Sequence, residues 1–155
     1  MAQRVLLVTD GTLTDTVEAL YGEPIGLRKV ALGITPASGG PDPLQAPAGS
    51  PIMHRKIVLY GEETGRNYVY AESALALDRL PPAFRDGLLN TDTPIGRLWT
   101  EFRVETWKEL LTAAAIPAGP ISRFFPDAPG DLLTRTYRMI SRDEPLMVIS
   151  EYFPK

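Results

Sequence analysis

Two stretches of this chain alternate apolar and polar side chains on either side of a short polar connection, the pattern of antiparallel strand pairs. Residues 53–60 and 66–77 flank Gly61-Glu62-Glu63-Thr64-Gly65, and residues 132–142 and 145–153 meet in a turn near 141–144. Residues 27–35 alternate in the same way and read as a further strand, and 102–111, where helix and strand signals mix, is assigned to a strand as well. The helical segments are few and short. One covers 13–20, with Asp10 or Thr12 as cap and Leu13, Val17 and Leu20 on one face; another, opened by proline, covers 80–89; a third begins at 94–99. Hairpins with so few helices predict an α+β chain, an antiparallel sheet with helices on one face.

Both paired stretches carry charge where a strand face should be apolar. In Pro-Leu-Met-Val-Ile-Ser-Glu-Tyr-Phe-Pro, 145–154, side chains two apart share a face, so Met147, Ile149, Glu151 and Phe153 point one way and Val148, Ser150 and Tyr152 the other. In 54–60, Arg55 shares its face with Ile57 and Leu59, leaving Lys56 opposite with His54, Val58 and Tyr60. A buried charge must be paired, so an inward Arg55 and an inward Glu151 suit each other as a structural ion pair, or suit a ligand. Arg135 and Arg138 occupy opposite faces of their strand; at most one points inward, and a solvated position is expected of them. His54 is read as a surface residue, and Trp99 and Trp107 as core fillers.

The chain has 155 residues, the size of one domain that buries roughly 68–70% of the surface its unfolded form exposes. That leaves room for an internal pocket. A net charge of -3 provides no electrostatic footprint for nucleic acid. No apolar run reaches the roughly 18–20 residues that span a bilayer, and the opening residues meet Asp10 before a signal-like core is complete. The expectation is a cytoplasmic protein with neither nucleic acid nor membrane as partner. It is also expected to be a monomer, since no extended apolar edge or heptad is visible. The absence of cysteine removes disulfides, thiolate nucleophiles and thiolate metal sites, and a single histidine argues against a Ser-His-Asp triad. Residues 36–51, dense in Pro, Gly and Ala, read as a surface loop or flap, and 116–130, with four prolines, as a second irregular stretch.

Residues 5–16, Val-Leu-Leu-Val-Thr-Asp-Gly-Thr-Leu-Thr-Asp-Thr, are similar to the first motif of haloacid dehalogenase-type phosphatases. The nucleophilic aspartate of that motif is replaced by Val8, leaving only Asp10, so the covalent step has no nucleophile. A second resemblance extends further. The stretch Leu-Asp-Arg-Leu-Pro-Pro-Ala-Phe-Arg-Asp-Gly-Leu-Leu-Asn-Thr-Asp-Thr-Pro-Ile-Gly-Arg, 77–97, resembles the chorismate lyase (4-hydroxybenzoate synthase) family. The likeness continues in order through the Asp-Gly-Thr-Leu-Thr helix start, the strand with Arg55, the hairpin, and the terminal strand ending Glu151-Tyr152-Phe153.

This resemblance implies a six-stranded antiparallel sheet with flap-like segments enclosing a ligand, and cleavage of chorismate to 4-hydroxybenzoate and pyruvate without metal or organic cofactor. It places substrate contacts on Leu13, Arg55, Ile95 and Glu151, with Arg55 and Glu151 in the catalytic role. Chemically these types fit. A guanidinium can clamp a carboxylate with two parallel hydrogen bonds, apolar Leu13 and Ile95 can sandwich a ring, and a glutamate can exchange a proton with the C4 oxygen or simply hydrogen-bond it. Arg135 or Arg138 would suit a second carboxylate contact to the enolpyruvyl group. The product would serve quinone or specialised-metabolite assembly. Two other readings share the fold: a non-catalytic sensor of small aromatic ligands, and a relative recruited to another elimination step.

Overall fold

The computed structural model describes residues 6–7 and 12–155. Asp10 and Val8, named above, lie outside the described residues. The chain runs α1 (Leu13–Tyr21), β1 (Ile25–Pro36), β2 (Pro51–Gly61), β3 (Asn67–Ala76), a 3-10 turn (Leu77–Arg79), α2 (Pro82–Asn90), α3 (Ile95–Glu101), β4 (Trp107–Ile116), a second 3-10 turn (Pro120–Phe124), β5 (Leu132–Ser141) and β6 (Glu144–Pro154). All six strands form one antiparallel sheet in the order β1-β2-β3-β6-β5-β4. Two three-stranded meanders thus meet along β3 and β6. The segment containing α2 and α3 carries the chain from the central β3 to the far edge. No described helix is long and apolar enough to cross a membrane.

The expected hairpins are present. β4, however, begins only at Trp107; residues 102–106 are irregular, and Arg103 has a positive φ of 49°. The β5–β6 connection places Ser141 opposite Glu144, with Arg142 at φ 51° and Asp143 at φ 62°. Two left-handed residues in a two-residue loop give the turn whose twist matches that of paired strands.

Register sorts the side chains into two faces. Met53, Arg55, Ile57 and Leu59 of β2 share a face with Ala71, Ser73 and Leu75 of β3, Ile149 and Glu151 of β6, and Arg135, Tyr137 and Met139 of β5. The helices α1, α2 and α3 pack on this face. α1 lays Val17 against Ile25, Leu59 and Phe153, with Leu13 and Leu20 beside them, while Phe84 and Leu88 of α2 and Leu98 of α3 pack on Met53, Leu75 and Met147. Fully burying a side chain such as Phe84 contributes about 1.5–3 kcal/mol.

The opposite face is covered by the two proline-rich stretches. Leu44 and Ala46 pack on Ile52 and Ala76, and Phe125 packs on Val58, Tyr70 and Leu132. Neither stretch is placed to act as a flap over the helix-covered face. Arg79 ties the first of them down: it donates to the carbonyls of Leu44 (2.8 Å), Gln45 (2.8 Å) and Pro145 (2.6 Å). Trp107 departs from the core-filling expectation, because its place on the edge strand leaves it 53% exposed. The ground for expecting a monomer also falls: β1 is an extended edge on which Val30, Leu32 and Ile34 are exposed.

Glu23, just beyond α1, holds the β2–β3 turn. One carboxylate oxygen accepts from the Tyr68 hydroxyl (2.5 Å) and the Thr64 hydroxyl (2.8 Å), the other from the N–H groups of Glu63 and Thr64 (3.0 Å each). A side chain on Gly61 would place Cβ 2.3 Å from the Glu23 carboxyl carbon, so the close approach demands glycine there. The hydrogen bond from Tyr68, followed by those from Thr64 and Glu63, outweighs burial and holds the Glu23 carboxyl at about 2. Because the folded value is depressed, the stability this group contributes is complete above its ordinary value of 4.5 and is lost as pH falls toward 2. Thermal melts of Glu23→Gln across that window should accordingly show a shallower acid decline than the parent protein. The double change Arg142→Asn, Asp143→Gly should raise unfolding stability by about 1 kcal/mol in urea titrations, since it relieves two non-glycine residues in the left-handed region.

Candidate active site

A cavity of about 420 Å³ lies between the sheet and its helices, within the range of small-molecule sites. Ile57, Ala71, Ile149 and Glu151 from the sheet form part of its wall. Leu13 at the start of α1, Ile95 and Trp99 of α3, and Val104 and Thr106 of the irregular segment also line it. The Thr93-Pro94-Ile95-Gly96 sequence explains how the α1 and α3 walls approach. Pro94 has a φ of -56° and accepts from the N–H groups of Arg97 (3.0 Å) and Leu98 (3.2 Å), opening α3. A Cβ at position 96 would lie 2.8 Å from the Thr12 methyl, so glycine there lets α3 approach the start of α1.

Three of the four residues expected to contact substrate, Leu13, Ile95 and Glu151, line this cavity. Arg55 is placed differently. It is 3% exposed and lies in the next row of the same face, opposite Ser73, with Ile149 on the strand beyond. Its Nε and Nη2 are buried without a hydrogen-bond partner among the described residues. Burial lowers its pKa to about 10, which still leaves it cationic at neutral pH.

Glu151 does not pair with Arg55. The β5–β6 register sets it directly opposite Arg135, whose Nε donates to Oε2 at 2.5 Å, and the Tyr137 hydroxyl donates to Oε1 at 2.8 Å. Arg135 and Glu151 are only 1% and 2% exposed, so the expectation of a solvated Arg135 is overturned. Arg138 projects from the other face, where it pairs with Glu109 and donates to the Pro43 carbonyl at 3.1 Å. The signal for Arg135 was present in its strand: Leu133, Arg135, Tyr137 and Met139 form the more apolar parity, against Thr134, Thr136 and Arg138.

Tyr137 was not singled out by the sequence. Burial, and then the adjacent Glu151 charge, push its hydroxyl well above the usual tyrosine value, which keeps it a donor. Its ring also faces two cations, with the Arg135 guanidinium carbon 5.2 Å and the Lys108 Nζ 4.4 Å from the ring centre. Lys108 lines the cavity from β4, and a bulge between Leu110 and Thr112 breaks the alternation by which its face could be read. His54 is exposed, with its Nε2 3.0 Å from the Thr35 hydroxyl, and is remote from this chemistry.

An antiparallel sheet encloses an apolar cavity of small-molecule size with a carboxylate in its wall and a buried guanidinium in the neighbouring row of the same face. Residues 7–155 match the model of the Rv2949c-like chorismate pyruvate-lyase family, and the chain belongs to that family of lyases. The chain is 30% identical over 152 residues to the chorismate pyruvate-lyase of Mycobacterium leprae, spanning 97% of this chain and 72% of the relative. It is 28% identical over 155 residues to that of Mycobacterium tuberculosis, spanning 97% and 78%. Among solved structures, the effector domain of PhnF from Mycobacterium smegmatis superposes with a TM-score of 0.68 at 18% identity, covering 95% of this chain and 90% of that one. The C-terminal domain of a histidine utilization repressor from Pseudomonas syringae gives 0.63 at 17% identity, covering 84% and 91%. At such identities these regulators share the fold alone.

The buried pair yields a stability prediction. Arg135→Met leaves the Glu151 carboxylate without its counter-charge and should cost about 3–5 kcal/mol in chemical denaturation. A loss below about 1 kcal/mol would show that the pair is dispensable to the fold.

Proposed function

We propose that this protein is a chorismate pyruvate-lyase, converting chorismate to 4-hydroxybenzoate and pyruvate in the cavity above Glu151. The observation that carries the reading is Arg55: a buried cation whose Nε and Nη2 lack a hydrogen-bond partner among the described residues is suited to an anionic ligand. Membership of a chorismate pyruvate-lyase family supports the same substrate.

In this reading Arg55 takes the ring carboxylate, reaching it past Ser73 and Ile149, while Leu13 and Ile95 close on the ring and exclude water. Each Glu151 oxygen already accepts one hydrogen bond and keeps a further lone pair. With Arg135 and Tyr137 both donating to it, Glu151 acts as an acceptor and holds the C4 hydroxyl of the substrate. The C3–O ether bond then breaks as the C4–H electron pair forms the last ring double bond, and the proton released from C4 balances the one that enolpyruvate takes up. Enolpyruvate departs and gains a proton at its methylene carbon, giving pyruvate. Aromatisation drives the step, so the protein's task is to hold one conformer and stabilise the departing group. The product is assigned to quinone or specialised-metabolite assembly.

Coupled detection of pyruvate from chorismate tests the proposal. Arg55→Ala and Glu151→Gln, each checked for folding by circular dichroism, should reduce turnover by about 100-fold or more. Two folded and active variants would sink the residue assignment, and a parent protein releasing no pyruvate would sink the activity.

A further inference from the structure

The second half of β1 is an uncovered strand. Every side chain of residues 30–36 is exposed, although the segment stays paired with β2 from Ala31 opposite Lys56 to Pro36 opposite Pro51. Val30, Leu32 and Ile34 are 42%, 46% and 54% exposed, and the run Val-Ala-Leu-Gly-Ile-Thr-Pro carries no charge. We infer that β1 pairs antiparallel with β1 of a second copy of this chain, joining two six-stranded sheets into one across a two-fold axis at Leu32.

An edge strand presents a row of unpaired backbone N–H and C=O groups, and sheets block such edges with charge, bulges or proline. Here a bulge at Val30 and Pro36 bound the run, and no charged side chain stands between them. The stretch is also self-complementary. With the axis at Leu32, that leucine faces its own copy, Val30 faces the partner's Ile34, and Ala31 faces the partner's Gly33. This register matches all three exposed apolar side chains with one another, the cross-strand contact that stabilises sheets. Leu32 and Ile34 lie opposite Arg55 and Met53 of β2, so the apolar pairs form on the helix-covered face.

Charge agrees with the same register. Arg28 and Lys29 come opposite the partner's Pro36 and Thr35, so no cation meets a cation, whereas a slide toward the start of β1 would set them against each other. Both are engaged within their own chain: Arg28 donates to Asn67 Oδ1 at 3.2 Å, and Lys29 donates to the Thr91 carbonyl at 2.8 Å and lies 3.1 Å from Asp92. The other edge, β4, is less suited, because Lys108 and Glu109 stand between its exposed Trp107 and Leu110. A two-fold contact uses one strand from each copy and closes at two. Pairing β1 with β4 of another copy would leave a free edge at each end and grow into a filament.

Sedimentation equilibrium of the protein should give twice the 17.0 kDa of one chain. The chain has no cysteine, so single cysteines report the register. Leu32→Cys should cross-link two copies under mild oxidation, because a residue on the axis lies about 4.5–5.5 Å from its own copy between Cβ atoms. Val30→Cys or Ile34→Cys alone should stay reduced, each displaced from its copy by four residues, roughly 13 Å along the strand. Leu32→Lys, with unchanged circular dichroism, should raise the dimer dissociation constant about 100-fold or more, while Leu110→Lys on β4 leaves it within about twofold. A monomer at about 100 µM protein, cross-linking at 30 or 34 as readily as at 32, or a dimer indifferent to Leu32→Lys overturns the inference. Larger species abolished by Leu110→Lys would identify a β1–β4 contact and overturn it as well.

Discussion

The structure depends most on the contact between Arg135 and Glu151 across the β5–β6 ladder. Two ions are taken almost wholly out of water, and the desolvation penalty is offset only because register places them face to face with a hydrogen bond of 2.5 Å. A slip of one residue between these strands would turn one of the two side chains to the opposite face and separate the charges. The two-residue turn at Arg142 and Asp143 and the register shift between Met139 and Ile140 together set the pairing that brings Arg135 opposite Glu151. Tyr137 joins the same cluster through its hydroxyl and extends it, through its ring, to Lys108.

The rest of the fold arranges an apolar enclosure about this cluster. The first meander contributes Ile57 and Ala71 to its wall, and the second contributes Tyr137 and Glu151; the β3–β6 seam joins them. One face of the sheet carries the cavity and the described helices, while the other is covered by the proline-rich segments. Arg79 and Glu23 serve those segments and turns, each satisfying several backbone groups at once. The same fold occurs in the effector domain of PhnF and in a domain of a histidine utilization repressor, so its shape does not select turnover over binding.

Much of this was legible in the sequence wherever alternation is strict. The period of two placed Glu151 and Arg55 on the apolar faces of their strands, and the Thr-Pro-Ile-Gly turn marked the start of α3. Alternation fails where a bulge intervenes: Val30 in β1 and Leu111 in β4 interrupt the pairing, and with them go the face of Lys108 and the exposed edge of β1. Arg135 was misjudged for a different reason. Its strand bears arginines of both parities, and composition favours solvating them, whereas the partner that makes burial tolerable stands 16 residues away.

By itself, then, the sequence determined the local elements, which side chains share a face, and the apolar and charged inventory of a chorismate lyase-like site. The elements and their faces follow from dihedral preference and from the fixed periods of strand and helix, and the site inventory from the resemblance carried by residues 77–97 and the terminal strand. Tertiary structure alone decided the partners. It paired Glu151 with Arg135 rather than Arg55, left two buried nitrogens of Arg55 without a hydrogen-bond partner among the described residues, and sent both proline-rich loops to the face away from the cavity. Those outcomes depend on strand order and register between distant segments, and no local period encodes which strand will lie beside which.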